Sequence, residues 1–193
     1  MPRTPAMTED SFALVLDALQ FAAWKHRQQR RKDAEATPYI NHPIGLLHLL
    51  FQEGQVADPI VLMAALLHDT VEDTDTSLTE IHDQFGAAVA AVVAQVTDDK
   101  SLPKATRKQL QIEHAPTLCD RAKLVKLADK IHNLRDLFHS PPADWSSERL
   151  RNYCAWCKQV VDQLRGVHPA LEVLFDQAYA AAYMTCQPDT RQS

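Results

Sequence analysis

The 193-residue sequence predicts an all-α fold, a bundle of about eight to ten helices with no strand. Three observations carry that expectation. Only four residues are glycine, well below the roughly 7% usual in soluble domains, so folds built on tight hairpins or glycine-rich phosphate loops are disfavoured. Apolar residues recur at three- and four-residue spacing in one segment after another, and stretches that alternate apolar with polar are nowhere convincing.

The elements follow in order. Residues 8–31 place Phe12, Val15, Leu16, Leu19, Ala22 and Ala23 on one stripe of a helix whose other face turns basic toward its end. Asp58 followed by Pro59 reads as an N-cap with proline at the first helical position, and it starts the nearly continuous apolar run 60–67. A helix apolar on most sides belongs at the centre of a fold. Ser77-Leu78-Thr79-Glu80 has the form of a capping box, and Gly86 separates it from a small-residue helix over 87–96. Pro103 and Pro116 open or bend two further helices, the second over 122–138, and Pro141 with Pro142 closes that unit. Two last helices are expected over 147–165 and 169–184.

Nothing divides the chain, so a single domain over 1–193 with a core of about 8–182 is expected. The formal charge of −5, from 20 basic and 25 acidic residues, argues against nucleic acid as a partner. A small anionic ligand needs only a local basic patch. Four cysteines, at 119, 154, 157 and 186, are too few and too uneven for a disulfide framework. Cys154 and Cys157 form a CxxC inside a helical stretch, with neither a preceding strand nor a second pair, and read as two thiols on successive helical turns. Residues 12–24 lack a cleavage site and precede Lys25, and no apolar run approaches the 18 residues or so of a membrane span, so a cytoplasmic protein is expected.

The chemistry concentrates where the central apolar run ends, in His68-Asp69-Thr70-Val71-Glu72-Asp73. If helical spacing persists, an imidazole and three carboxylates share a small volume, an arrangement that like-charge repulsion opposes unless a cation sits among them. Two further segments supply partners. His42 stands just before Pro43 at a loop-to-helix junction, and Asp129 and Asn133 fall on one face of a later helix. His42, His68, Asp69 and Asp129 form a mixed nitrogen and oxygen set suited to Mn²⁺, Fe²⁺ or Zn²⁺ with positions open for water and substrate. Taken singly, each has an ordinary reading: Asp69 can cap a turn, Glu72 and Asp73 can form a solvated acidic loop, and Asp129 can pair with Lys126 or Lys130. Nine histidines in one chain are the compositional oddity, of which His48 and His114 are expected on the surface.

The words around those residues narrow the reading further. Arg30-Arg31-Lys32-Asp33, Thr37-Pro38-Tyr39-Ile40-Asn41-His42-Pro43, Ala65-Leu66-Leu67-His68-Asp69-Thr70-Val71-Glu72-Asp73-Thr74, Val96-Thr97-Asp98-Asp99-Lys100, 123–130 and 133–137 occur in that order. Together they resemble the hydrolase domain of RelA/SpoT homologues, within the HD superfamily of metal-dependent phosphohydrolases, and most closely the free-standing small alarmone hydrolases of the metazoan SpoT-homologue type. The resemblance implies an HD-type helical bundle that releases pyrophosphate from the 3′-diphosphate of ppGpp or pppGpp, leaving GDP or GTP, with Mn²⁺ as cofactor. It implies His42, His68, Asp69 and Asp129 as metal ligands, Glu72, Asp73 and Asn133 as catalytic residues, and Arg31, Lys32, Lys104, Arg149 and Tyr153 as substrate contacts.

Glu72 or Asp73 would orient a water on the metal and take its proton from outside the ligand set. For Lys25, Arg27 and Arg30, solvation at a helix end is the simpler role. The basic cluster ending at Lys32 is expected to lie apart from the acids. His132 stands where many relatives carry an aromatic residue, usually tyrosine, and residues 118–121 depart from the usual wording, so base preference is open. Alternatives that keep the metal site are hydrolysis of (p)ppApp or removal of the 2′-phosphate of NADPH; a non-catalytic nucleotide sensor is the alternative of another class. The expected partner is a small nucleotide, with neither nucleic acid nor membrane, and a homodimer is left open.

Overall fold

The computed structural model describes residues 7–142 and 144–185. Among them it contains ten α-helical segments: α1 (Glu9–Lys25), α2 (Asn41–His48), α3 (Pro59–Leu67), α4 (Thr70–Asp73), α5 (Leu78–Phe85), α6 (Ala87–Val96), α7 (Lys104–His114), α8 (Asp120–His139), α9 (Ser147–Asp162) and α10 (Pro169–Thr185). No strand occurs among the described residues beyond one isolated antiparallel bridge between Arg30 and Pro38. The all-α expectation therefore holds, with α4 a single turn.

Helix starts obey local chemistry. Thr8 accepts from the Ser11 amide at the head of α1, Asp58 Oδ1 accepts from the Ile60 amide at 2.9 Å ahead of Pro59, and Ser146 Oγ accepts from the Arg149 amide at the head of α9. At α5 only half of the capping box forms. Ser77 Oγ accepts from the Glu80 amide, while the Glu80 carboxylate turns to Lys25 at 3.1 Å. Gly86, at φ 86°, supplies the left-handed turn between α5 and α6.

Helix α3 is the axis. Val61 through Leu67 are all buried, and α1, α2, α6 and α8 surround them, as expected for a segment apolar on every side. The long α8 lies beside α3 and packs also on α6, α9 and α10. Phe175 of α10 is among the largest fully buried side chains of the core. Phe175→Ala should cost about 3–5 kcal/mol of unfolding free energy, read as a lowered denaturation midpoint with an unchanged m-value.

Two expectations are corrected. The first helix stops at Lys25 rather than running to residue 31. Beyond it Arg27 and Arg30 spend their guanidinium donors on the carbonyls of Trp24, Arg27 and Gln29, and the chain turns back so that Arg31 donates its amide to Thr37 O. Pro116 does not open the helix that follows it: it sits in a 3₁₀ turn, Ala115–Thr117, and α8 begins at Asp120. Cys154 and Cys157 are buried on α9 and in no disulfide, as read from the sequence; Cys186 lies outside the described residues. No described helix is long and apolar enough to cross a membrane.

Candidate metal centre and adjoining cleft

The centre is built where α3 runs out. Helix α3 ends at Leu67, and its last carbonyls need partners. Thr70 Oγ1 donates to Leu67 O at 2.7 Å, and His68 Nδ1 donates to Ala65 O at 2.8 Å. The second bond fixes the tautomer, because a carbonyl can only accept, and so leaves the Nε2 of His68 facing inward. His42, in the first turn of α2, and Asp129, midway along α8, approach the same point. The ligand atoms of His42, His68 and Asp69 lie within 4.8 Å of one another, and Asp129 Oδ1 is 3.3 Å from His42 Nε2. All four expected ligands are thus brought together.

The electrostatics call for a cation. Burial alone would lower the pKa of His68, but the carboxylates of Asp69 and Asp129 outweigh it and lift His68 to about 9. Burial dominates at His42 and takes it down to about 4. Burial would raise both carboxyls, yet His68 holds Asp69, and Lys130 with His42 holds Asp129, well below the ordinary carboxylate range. Two half-buried carboxylates therefore face positive charge at the inner nitrogens, which a proton or a divalent ion would supply. His68 Nε2 is buried and lacks a hydrogen-bond partner of acceptable geometry, even with Asp69 Oδ2 at 2.8 Å. An imidazole lone pair and carboxylate oxygens converging without hydrogen-bond alignment fit a metal ligand set.

The remaining acids stand just outside. A turn at His68 and Asp69 separates α3 from α4, yet both residues keep helical backbone angles and the Asp73 amide donates to Asp69 O at 2.8 Å. The assumed spacing therefore persists, and His68, Asp69, Glu72 and Asp73 line one chamber. Glu72 Oε2 accepts from the Asp98 amide at 3.2 Å and Oε1 from Arg107 at 3.3 Å. Burial raises its pKa above 4.5. Asp73 accepts from Gln29 Nε2 at 2.9 Å and pairs with Lys100. Asn133 donates to Asp129 Oδ1 at 2.6 Å and accepts from Arg31 at 3.2 Å. Asp129 uses its other oxygen on the buried Lys130 at 2.9 Å, so the pairing with Lys130 forms, inside the fold rather than on a helix surface.

A chamber of about 200 Å³ holds His42, His68, Asp69, Glu72 and Asp129. Arg31, Tyr39, His42, Asp73 and Asn133 form a common wall with a cleft of about 520 Å³, a size suited to a small ligand. Lys32, Trp145 and Tyr153 also line that cleft. Trp145 and Tyr153 adjoin a third hollow that carries Lys104, Lys108 and Arg149. Burial and then the neighbouring Arg149 and Lys32 lower the Lys104 pKa, so these cations stand close enough to repel one another. Arg149 stacks at 4.4 Å on Trp145 and pairs with Asp144 at 3.9 Å. The expected substrate contacts thus line two adjoining hollows, Arg31, Lys32 and Tyr153 the first and Lys104, Arg149 and Tyr153 the second.

The basic cluster is not separate from the acids, contrary to the sequence reading. Arg31 donates to Asp136 Oδ2 at 2.5 Å as well as to Asn133, joining the cleft to the centre. Arg27 and Arg30 are exposed beyond the helix end, as expected, whereas Lys25 is drawn into ion pairs with Asp75 and Glu80 rather than solvated; His48 and His114 are exposed.

Sequence reasoning missed the supporting residues. Tyr39 donates its hydroxyl to Asp69, Gln29 holds Asp73, and Arg107 and Lys100 flank the acids. Gln29 is itself held by the buried His26, whose Nδ1 lies 2.6 Å from Gln29 Oε1. Tyr39 and Lys100 stand inside quoted motifs and so carried a signal; Gln29, His26 and Arg107 did not.

The HD-domain family profile matches residues 18–153. The chain is 54% identical over 173 residues to a protein of Danio rerio named guanosine-3′,5′-bis(diphosphate) 3′-pyrophosphohydrolase MESH1, covering 90% of this chain and 96% of that one. It is 58% identical over 160 residues to the Homo sapiens protein of the same name, covering 83% and 89%. A solved structure, described as a metazoan orthologue of SpoT that hydrolyses ppGpp and plays a role in starvation responses, superposes with a TM-score of 0.85 at 52% identity, covering 87% of this chain and 94% of that one.

Proposed function

Since this chain belongs to the HD-domain family and, within it, to the MESH1 group of pyrophosphohydrolases, we propose that it is a divalent-metal-dependent hydrolase of ppGpp and pppGpp, with Mn²⁺ as its ion. The observation that carries this reading is the chamber of His42, His68, Asp69 and Asp129 opening into a cation-lined cleft. When bound, a divalent ion supplies Lewis acidity, lowering the pKa of a water and neutralising charge on phosphoryl oxygens.

The chain's own residues supply the rest. Arg31, Lys32, Lys104 and Arg149 bind the anionic nucleotide, and Tyr153 offers it a ring face beside Trp145. Glu72 is the base: it lies beyond the ligand set, and burial raises its pKa toward working pH. Asp73 and Asn133 orient the reacting groups at the common wall. One water is added across the ester between diphosphate and ribose 3′-oxygen: its oxygen bonds to phosphorus as the bond to the 3′-oxygen breaks, the proton taken by Glu72 is passed on to the 3′-oxygen, which ends as a hydroxyl, and pyrophosphate leaves intact. The compartment we assign is the cytoplasm, where such a nucleotide resides.

A panel of ppGpp, (p)ppApp and NADPH, each titrated with Mn²⁺, Fe²⁺, Zn²⁺ and Mg²⁺, tests the assignment. Pyrophosphate release from ppGpp with the highest kcat/KM is expected; a higher value for another nucleotide would replace the substrate, and tight binding without turnover would make the protein a sensor. Arg31→Met should lower kcat/KM by roughly 10- to 100-fold, the loss of one charged hydrogen bond worth about 1.5–3 kcal/mol.

A further inference from the structure

His132 is close to the metal centre but outside the ligand set assigned to it. Its Nδ1 lies 3.1 Å from the Nδ1 of His42, the two rings meeting edge to face at 4.9 Å. The position is enforced from behind. A Cβ on Gly45 would fall 1.9 Å from His132 Nε2 and 2.3 Å from its Cδ2, so the imidazole rests directly on the backbone of α2. Glycine inside a helix is destabilising by roughly 0.5–1 kcal/mol, and here it makes room for that ring.

The pair of nitrogens shares one proton. For His42 to present the Nε2 lone pair to a cation, its own proton must sit on Nδ1, where His132 Nδ1 is the atom that can accept it. If His42 instead keeps a proton on Nε2 and donates to Asp129 Oδ1 at 3.3 Å, then His132 Nδ1 donates and His42 Nδ1 accepts. An imidazole that carries one ring proton works in both directions; a hydrocarbon ring works in neither. The other neighbour of His132 Nδ1 is Asp136 Oδ2 at 3.4 Å, and that oxygen already accepts from Arg31 at 2.5 Å. His42, at 3.1 Å, is the nearer of these two partners of His132 Nδ1.

We propose that His132 is a positioning residue of the metal centre, accepting the Nδ1 proton of His42 and thereby fixing both the ring and the tautomer that offers Nε2 to a divalent ion. The inference rests on the metal reading above. Ligating histidines ordinarily give their second nitrogen to a carboxylate or carbonyl; in this chain the role falls to a second imidazole.

The test is calorimetric Mn²⁺ binding to the full chain, with thermal unfolding in a chelator as the control on folding. His132→Phe should weaken Mn²⁺ binding about 10- to 100-fold without lowering the metal-free melting temperature, and His132→Gln, whose amide oxygen can accept the same proton, should recover most of it. Wild-type binding at one ion per chain, with His132→Phe within about twofold of it, overturns the proposal. No divalent-ion binding by the wild type overturns the reading of the centre, and this inference with it. A measurement that needs no variant is long-range ¹H–¹⁵N correlation of the histidine rings in Zn²⁺-loaded protein. His42 should be protonated at Nδ1; ligation through Nδ1 would sink the idea whatever the variants do.

Discussion

Asp69→Asn should remove metal binding and pyrophosphate release together while leaving the fold intact. The substitution is nearly isosteric, and the amide oxygen can still accept the Tyr39 hydroxyl that Asp69 accepts, so the loss isolates charge from shape. Asp69 is also the main group that lifts the pKa of His68 against burial. With that charge gone, His68 loses most of its lift and one of the two carboxylates facing the centre is neutral. A metal contributes several kcal/mol of charge stabilisation, and each 1.4 kcal/mol or so is tenfold in rate, so a fall of roughly a thousandfold or more in kcat/KM is expected. His68→Ala should do the same, although it also frees Ala65 O from its side-chain partner and so carries a stability cost that Asp69→Asn avoids. Calorimetric titration with Mn²⁺, pyrophosphate release from ppGpp and melting in a chelator form the set of measurements. Full activity in either variant, at an unchanged metal stoichiometry, would refute the centre.

The parts of this site that were legible in the sequence are those set by local rules. Helix α3 could be read to the residue because Asp58, Pro59 and a continuous apolar run specify start, direction and burial within one short segment. The convergence of His42, His68, Asp69 and Asp129 was legible because buried like charges require an explanation, and the family motifs supplied the same four residues. What stayed hidden depends on the path of the chain between elements. The turn-back after Lys25 carries Arg31 across to Asn133 and Asp136, more than 100 positions away in sequence, and no local pattern encodes that. The same holds for Arg107 beside Glu72. The grouping of His68, Asp69, Glu72 and Asp73 was legible for the same local reason as α3, because the backbone stays helical through the turn that joins α3 to α4.

The formal charge of −5 describes the molecule poorly for this reason. The acids of the centre and the bases of the cleft are not opposed surfaces; they interlock through Arg31, Asn133, Lys100 and Arg107. A nucleotide entering the cleft would compete with Asp136 for Arg31, so part of its binding free energy is offset by the ion pair it breaks.

That interlocking makes Glu72 the residue whose removal separates chemistry from binding. Glu72→Gln keeps the side chain's size, and its amide oxygen can still accept from the Asp98 amide or Arg107. Metal affinity should therefore stay near wild type, because Glu72 lies outside the converging ligand atoms, and KM should move little. The rate should fall about 10²- to 10⁴-fold, the range for loss of a positioned general base. The pH profile gives the second signature. A base works deprotonated, so kcat/KM climbs with pH through the pKa of Glu72, which burial, opposed by the Asp98 amide and reinforced by Asp69, places above 4.5. The acidic limb of the wild type should accordingly lie above the position of an ordinary glutamate, and in Glu72→Gln that limb should vanish from the residual activity. Asp73→Asn is the discriminating control: its carboxylate is tied to Gln29 and Lys100 at the wall of the cleft, so it should lower the rate while keeping the limb. Were the limb to persist in Glu72→Gln and disappear in Asp73→Asn, the base would be Asp73.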